Sequence, residues 1–331
     1  MTKPRVLILH TGGTLGMRPR EPDHALAPDE FGSTILEHVP ELDQIAAIET
    51  RVFSNIDSSD VNCALWMSLA REAAADIARF DGIVITHGTD AMAYTASALS
   101  YVLRDLPRPV ILTGAQRPIS DPHSDGRGNL VGAVELASRA IPEVAIYFDG
   151  MLLRGNRTMK RSSFSYAAYR SPNFPPLAEI GMEVRLHVEP RTPGCTCRIE
   201  GGFDCRIAAL RLLPGQPAAP LAALAGTGIG AVLVQAYGVG NFPVLDLGLT
   251  DAVRTLTGAG IVVAIGSQSM HGRVDMSRYA GGRLAMEAGA VGTADMTVEA
   301  AAVKLMYLLA TSTGPEEIKA RLCIPIAGEV T

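Results

Sequence analysis

The chain has 331 residues, of which 47% are apolar, and its formal net charge at pH 7 is −5. This length allows one large domain or two, and the apolar fraction is ample for a hydrophobic core. An acidic balance without a long basic run argues against nucleic acid as the main partner. No apolar stretch approaches the roughly 20 residues that a membrane helix needs, and the first residues carry no leader pattern. We therefore expect a cytoplasmic protein without a membrane partner.

Strand-like apolar runs alternate with helix-like segments through the first half of the chain. The predicted strands cover 6–10, 50–53, 82–86, 109–113 and 144–148. The predicted helices run from a cap at Asp60 to about residue 79 and over 90–104 and 128–139. Repeated strand–helix units with short turns predict an α/β fold with a mostly parallel sheet, covered on both faces.

This alternation is interrupted by a Gly- and Pro-rich stretch and then resumes. The later strands are predicted at 207–212, 231–235 and 261–265, and the later helices at 251–257 and 297–309. The chain therefore divides into a larger N-terminal αβ domain at 1–190, a linker at 191–206 and a smaller C-terminal αβ domain at 207–331.

Two threonine-bearing turns follow predicted strands of the first domain. Thr11–Thr14 reads Thr-Gly-Gly-Thr, and His87–Asp90 reads His-Gly-Thr-Asp. In an open parallel sheet, ligands bind outside the carboxyl ends of the strands, so Thr14 and Thr89 are expected at one crevice. Paired hydroxyls with an adjacent carboxylate favour acyl transfer by a threonine nucleophile.

Each part of this pattern also has a plainer interpretation. The first turn lacks the Walker and dinucleotide-binding fingerprints, and alone it also fits an ordinary strand-to-helix turn. Asp90 either holds a substrate ammonium group, orients Thr89, or caps the following helix. His87 precedes its turn by one residue, and we interpret it as a structural core residue.

Two further segments contain polar groups of the right chemistry. Ser58 and Ser59 lie in an Asp-Ser-Ser-Asp turn before a predicted helix. They either bind a carboxylate, with help from free amides and the helix dipole, or form an ordinary cap. Lys160 lies in the basic segment Arg154–Arg161. It is either a base in a dry crevice or part of a solvated basic patch.

Together these motifs resemble the bacterial-type L-asparaginases, most closely their cytosolic type I branch. The resemblance covers essentially the whole chain, and the spacing of the two threonine motifs is highly specific. The segments that carry it are Thr11–Thr14, Asp57–Asp60, His87–Asp90, Ala93–Leu99, Arg154–Lys160, Ser171–Pro176, Tyr237–Asn241 and Ala294–Ala300.

The resemblance implies a role for each catalytic candidate. Thr14 matches the nucleophile of the family, and its attack on L-asparagine gives a β-aspartyl enzyme and ammonia, after which water releases aspartate. Thr89, Lys160 and Asp90 match the second catalytic group, in which the lysine takes a proton from the threonine or from a water that it holds. Weaker glutaminase activity is also implied.

The resemblance further implies how the substrate is held. Ser58 and Ser59 match the positions that bind the α-carboxylate, Asp90 helps to hold the ammonium group, and the amide of Ala115 contacts the side-chain amide. No metal and no organic cofactor is implied. A homodimer or homotetramer is implied, in which the loop Gln268–Gly282 reaches the crevice of a neighbour.

The chain departs from the family at one point. Family members carry a tyrosine on a mobile lid after the first motif, whereas residues 15–93 contain none; His24 is one candidate substitute. This departure keeps open a catalytically weak or inactive amino-acid sensor. The amidase subunit of a tRNA-dependent amidotransferase shares the motifs, but we expect it to need an extra domain before Val6.

The five cysteines give no recognisable zinc pattern. Three of them, Cys195, Cys197 and Cys205, cluster without a fourth ligand at suitable spacing. We expect these three to be reduced surface cysteines rather than a metal site or a disulfide, and Cys63 and Cys323 to be ordinary thiols.

Overall fold

The computed structural model describes residues 2–20, 25–28, 31–246 and 248–331. Two compact units are present, Met1–Glu200 and Gly201–Thr331. Within the described ranges, no helix is both long and apolar enough to cross a bilayer.

The first unit contains strands β1 to β14 and helices α1 to α5. The strands are β1 Arg5–Gly12, β2 Met17–Arg20, β3 Ala25–Pro28, β4 Ala47–Ile56, β5 Gly82–Thr86, β6 Leu103–Arg104, β7 Val110–Thr113, β8 Val144–Phe148, β9 Met151–Arg154, β10 Met159–Lys160, β11 Tyr169–Arg170, β12 Ala178–Ile180, β13 Val184–Leu186 and β14 Arg198–Ile199. The helices are α1 Phe31–His38, α2 Leu42–Ile45, α3 Cys63–Asp76, α4 Met92–Val102 and α5 Gly126–Ala137.

The main sheet of this unit has the order β13-β12-β9-β8-β7-β5-β1-β4. The five strands from β8 to β4 are parallel to one another, and β9, β12 and β13 continue the sheet in antiparallel pairs. β5, β7 and β8 are buried along their whole length, because a parallel strand with layers on both faces meets no water. Part of the core forms where apolar residues of β1, β5 and β7 pack with residues of α5.

One predicted helix start is wrong. Asp60 lies in a short 3-10 turn, Ser58–Asp60, and α3 begins only at Cys63. Asn62 caps the helix instead, because its extended backbone lets the side-chain oxygen accept hydrogen bonds from the N–H groups of Ala64 and Leu65, both at 3.1 Å.

The second unit is a smaller αβ structure. Its strands are β15 Ile207–Arg211, β16 Ala231–Ala236, β17 Val262–Ser267 and β18 Val291–Gly292. Its helices are α6 Ala219–Ala222, α7 Gly248–Gly258, α8 Ala280–Glu287, α9 Val298–Thr311 and α10 Pro315–Leu322. The four strands pair in chain order and in parallel. The predicted fold class, a larger mostly parallel domain with a smaller αβ domain, is thus confirmed.

The predicted linker contains a paired strand, and two of the cysteines are disulfide-bonded. Within the predicted linker 191–206, β14 pairs with β6 in the first unit. Cys195, Cys197 and Cys323 are free, as expected, but Cys63 and Cys205 are disulfide-bonded, so the expectation of ordinary thiols is wrong for these two. Sequence spacing alone did not indicate which cysteines lie close to another thiol.

Candidate active site

The candidate residues follow the carboxyl ends of neighbouring strands. β4, β1, β5 and β7 are adjacent and parallel. Their ends are level, because Gly12 of β1 lies opposite Ile56 of β4. Likewise, Thr86 of β5 lies opposite Thr113 of β7. Both threonine turns, the serine turn and the segment after β7 therefore emerge at one edge of the sheet.

Two glycines let these turns pack closely against one another. At Gly13, where φ is +87°, an added Cβ would lie 2.4 Å from the Cα of Gly88. At Gly88, an added Cβ would lie 2.6 Å from the Oγ of Ser58. Any side chain at either position would displace the neighbouring turn. The turns that carry Thr14, Ser58 and Thr89 are therefore in direct contact.

Lys160 reaches the second threonine turn from the β10–β11 hairpin. Its Nζ donates to the Oγ1 of Thr89 and to the Oδ1 of Asp90, each at 2.7 Å. The lysine side chain is only 18% exposed, whereas that of Asp90 is 75% exposed. Thr89, Asp90 and Lys160, which lie far apart in sequence, thus form one hydrogen-bonded group.

The alternative role of Asp90 as a helix cap is not what the structure shows. α4 begins at Met92, Ala91 occupies the N-cap position, and no side chain caps the helix. The carboxylate of Asp90 pairs with Lys160 instead. Likewise, Lys160 is not part of a solvated basic patch.

The serine turn contains one buried serine and one exposed serine. Ser58 is 5% exposed and lies against Gly88, whereas Ser59 is exposed. The N–H of Ser59 donates to the Asp57 carboxylate at 2.8 Å, so this amide is already satisfied within the turn. A carboxylate bound at this turn would therefore find the N–H of Ser59 already paired.

Ala115 lies in the same neighbourhood. It follows β7 directly and is fully buried. Its N–H has no acceptor among the described residues. The segment after it is joined to the first threonine turn, because Ile119 N–H donates to the carbonyl of Leu15 at 3.1 Å. Ala115 thus follows β7 beside the first threonine turn, and among the described residues no acceptor pairs with its N–H.

His87 is a structural residue, as its position suggested. Its ring is 1% exposed, and burial lowers its pKa from 6.5 to about 4. Trp66 donates to the Thr95 hydroxyl at 3.0 Å, that hydroxyl lies 3.0 Å from the histidine Nε2, and Nδ1 lies 2.7 Å from the carbonyl of Gly88. A neutral ring with its hydrogen on Nδ1 satisfies every contact, so His87 fixes the glycine that touches the other turns.

The region of the predicted lid is described in part. β2 and β3 pair in antiparallel fashion, with Met17 opposite Pro28. His24, the candidate substitute for the lid tyrosine, lies outside the described residues.

Two polar contacts to the second threonine turn were not predicted from the sequence. Gln116 places its Oε1 3.4 Å from the hydroxyl of Thr89. Tyr169, which lies opposite Lys160 in the hairpin, donates to the backbone carbonyl of Thr89. Both contacts join segments more than 25 residues apart, and no local sequence pattern marks them.

Both halves of the chain match known protein families. Residues 5–192 match the family described as "Asparaginase, N-terminal", and residues 206–322 match the "Glutaminase/Asparaginase C-terminal domain". The chain belongs to the asparaginase family. The resemblance inferred from the motifs is thereby confirmed.

Individual asparaginases are similar over the full length. "L-asparaginase 1" of Escherichia coli strain K12 is 37% identical, with 100% of this chain and 99% of that protein covered. The solved structure of the thermostable L-asparaginase from Thermococcus kodakarensis has 34% identity, a TM-score of 0.90 and 99% coverage of each chain. Another relative is a longer glutamyl-tRNA(Gln) amidotransferase component of Pyrococcus horikoshii, at 31% identity over 99% of this chain and 77% of that protein.

Proposed function

We propose that this chain hydrolyses L-asparagine to L-aspartate and ammonia, with Thr14 as the nucleophile. The observation that carries the proposal is the contact of Lys160 with both Thr89 and Asp90, each at 2.7 Å, beside the turn that carries Thr14. A threonine hydroxyl is a poor nucleophile at neutral pH unless a base or proton relay activates it. A lysine and a second threonine in hydrogen-bond contact are suited to that relay.

The proposed reaction has two halves. In the first, the Thr14 oxygen attacks the side-chain carbonyl carbon, the carbon–nitrogen bond breaks, and the hydroxyl proton is passed to the departing nitrogen to give ammonia. In the second, water attacks the β-aspartyl ester, aspartate leaves, and a proton returns to the Thr14 oxygen. Thr89 and Lys160 would move the proton in each half, Lys160 being a base only after it has lost its own proton.

Substrate charges fit the groups around this relay. Free asparagine is zwitterionic and needs one group for its ammonium and another for its carboxylate. The largely exposed carboxylate of Asp90 would take the ammonium, and the hydroxyls of Ser58 and Ser59 would take the carboxylate. The N–H of Ala115 would contact the side-chain amide. Loss of one donor to a developing oxyanion typically reduces turnover by about 10²–10³-fold.

The proposal is tested by ammonia release from asparagine and from glutamine. We expect wild-type turnover on asparagine, weaker turnover on glutamine, and loss of at least about 10³-fold in Thr14→Ala, since that change removes the nucleophile. Thr89→Val should also be strongly impaired. Thr255→Val makes the same chemical change at an exposed helical position and should match wild type.

Two results would contradict the proposal in different ways. Absence of ammonia from both amides with folded wild-type protein would favour the amino-acid sensor. Wild-type turnover in Thr14→Ala would overturn the assignment of the nucleophile.

Hydroxylamine present during turnover should divert the ester to β-aspartyl hydroxamate in wild type.

The amidotransferase alternative is motivated by the relative from Pyrococcus horikoshii. An asparaginase releases ammonia from free asparagine without any nucleic acid. Release only from glutamine, and only with a charged tRNA and a partner protein present, would favour the alternative.

We also propose that the working form is a homodimer or homotetramer. The loop Gln268–Gly282 is anchored at its start, where Gln268 Nε2 donates to the carbonyls of Leu212 and Gln235 at 2.7 and 3.0 Å. Beyond this anchor, Met270 is 39% exposed and is available to a neighbouring copy. Light scattering at micromolar concentration should give a multiple of the 34.9 kDa chain mass; monomer alone would contradict the proposal.

A further inference from the structure

The side chain of Gln116 is held in one orientation by the hairpin that carries Lys160. Its Nε2 donates to the carbonyls of Ser162 and Ser165, at 3.3 and 3.1 Å. A side-chain amide nitrogen has two hydrogens, and both are used. The oxygen of Gln116 must therefore point the other way, towards the hydroxyl of Thr89 at 3.4 Å.

The backbone of Gln116 is fixed independently. Its N–H donates to both oxygens of Asp125, at 3.0 and 3.1 Å, and the N–H of Arg117 donates to the same carboxylate at 3.2 Å. Asn129 donates to Asp125 at 3.1 Å and to the carbonyl of Gly114 at 3.0 Å. The start of α5 thus anchors the segment from which Gln116 extends.

The Thr89 hydroxyl consequently lies between one donor and one acceptor. The Lys160 ammonium gives a hydrogen to its oxygen, so the hydroxyl hydrogen needs an acceptor elsewhere. Among the described side chains, the oxygen of Gln116 is the recorded acceptor. At 3.4 Å this bond is long and weak, so the hydrogen can turn to a better acceptor during turnover at small cost.

We propose that Gln116 is a positioning residue: by accepting the hydrogen of the Thr89 hydroxyl, it keeps a lone pair of the Thr89 oxygen directed at Lys160. The inference rests on the proposed function, in which Thr89 and Lys160 relay protons. Among the described residues, the side chain of Gln116 hydrogen-bonds to Thr89 and to the hairpin but not to Lys160, so it acts through Thr89. It also joins the segment after β7 to the hairpin, so that the side chains of Lys160 and Thr89 keep their relative positions during turnover.

Two substitutions distinguish a positioning role of Gln116 from a role in packing alone. Gln116→Met keeps the length of the side chain and removes its polar atoms, and we expect kcat to fall about tenfold with KM within about twofold, the loss of one modest hydrogen bond. Gln116→Glu keeps the shape but adds a carboxylate near Lys160, which favours the charged ammonium. The acid limb of the kcat profile of Gln116→Glu should therefore move to higher pH, because residue 116 lies beside the threonine that Lys160 contacts. The fall in kcat of Gln116→Met at nearly constant KM is the readout that a merely structural role would not produce.

Ser163→Ala is the matched control. Ser163 is exposed in the same hairpin, and its variant should keep the wild-type kcat and pH profile. Wild-type kcat in Gln116→Met, together with an unshifted profile in Gln116→Glu, would overturn the proposal.

A structural readout keeps this proposal separate from the proposed function. In a neutron structure of Gln116→Met, the hydroxyl hydrogen of Thr89 should no longer point towards residue 116; an unchanged hydrogen position would overturn the positioning role. If neither variant folds, a neutron structure of the wild type decides, and an amide with its nitrogen towards Thr89 refutes the proposal. Absence of ammonia release by the wild type would refute only the proposed reaction.

Discussion

Acid should destabilise the first unit because two of its histidines are buried and neutral. Burial lowers the pKa of His87 and of His10 from 6.5 to about 4, and each ring is 1% exposed. In the unfolded chain these rings take up protons near pH 6.5, whereas the folded rings do so only near pH 4. The unfolded state therefore binds more protons between these values, and the free energy of unfolding falls as pH falls through this window.

The size of the effect follows from the two pKa values. A difference of about 2.5 units corresponds to about 3.4 kcal/mol per histidine once both states are protonated. At pH 5 the loss relative to neutral pH is about 2 kcal/mol for each ring, or about 4 kcal/mol for both. This is a large part of the 5–15 kcal/mol that typically stabilises a domain.

Fluorescence offers a direct assay. The chain has one tryptophan, Trp66, which lies in the first unit and hydrogen-bonds within the His87 network. Urea unfolding followed by its emission should give a stability at pH 5 about 4 kcal/mol below that at pH 7. His87→Gln should lose only about half as much between the two pH values, whatever its stability at neutral pH.

His123→Gln is the control, because His123 is exposed and its variant should follow the wild-type pH dependence. Equal losses in wild type and His87→Gln would refute the reasoning, since they would mean that the ring of His87 is not the group that takes up the proton. A wild-type stability that does not change between pH 7 and pH 5 would refute it for both histidines.

Three further predictions concern packing and polar contacts. Gly13→Ala should lower stability by about 3 kcal/mol or more in urea unfolding, because it combines a positive φ with an overlap of backbone atoms; Gly128→Ala, with no atom within 4 Å of the added Cβ, should be neutral or stabilising. Lys304→Met should lower the free energy of unfolding by about 3–5 kcal/mol, because it leaves the fully buried Glu329 without its ion-pair partner. Calorimetry should show that adding Glu329→Gln restores part of this stability. Tyr169→Phe should lower stability by about 1 kcal/mol through loss of one buried hydrogen bond, and an unchanged urea midpoint would contradict this.

The parallel part of the first sheet was predictable from the sequence because its strands carry a strong signal. β5 and β8 were placed with their observed bounds, since continuous apolar runs between turn residues mark buried parallel strands. The antiparallel extension by β9, β12 and β13 was not predicted. β12 and β13 have three residues each, and β13 has no buried residue, so neither length nor apolar content distinguishes these two from loops.

The sequence predicts some residues of the candidate site but not all of them. Thr14, Thr89 and Lys160 stand in motifs that a local pattern can single out, and the structure places the turns of the first two in contact and bonds the last two directly. Gln116 and Tyr169 are marked by no local pattern, because their contacts to Thr89 join segments remote in sequence. The helix cap was assigned to Asp60 instead of Asn62 because both residue types are good caps, and only the backbone conformation distinguishes them.

In the β10–β11 hairpin, the pairing of the two strands determines which side chains reach the second threonine turn. Its two residue pairs set Lys160 directly across from Tyr169, and both side chains reach residue 89. Because successive side chains of a strand face opposite sides, a slip by a single position would turn one of these groups away from the crevice. A change that shifts the register of β10 against β11 should therefore be far less tolerated than substitutions of the exposed residues between the two strands.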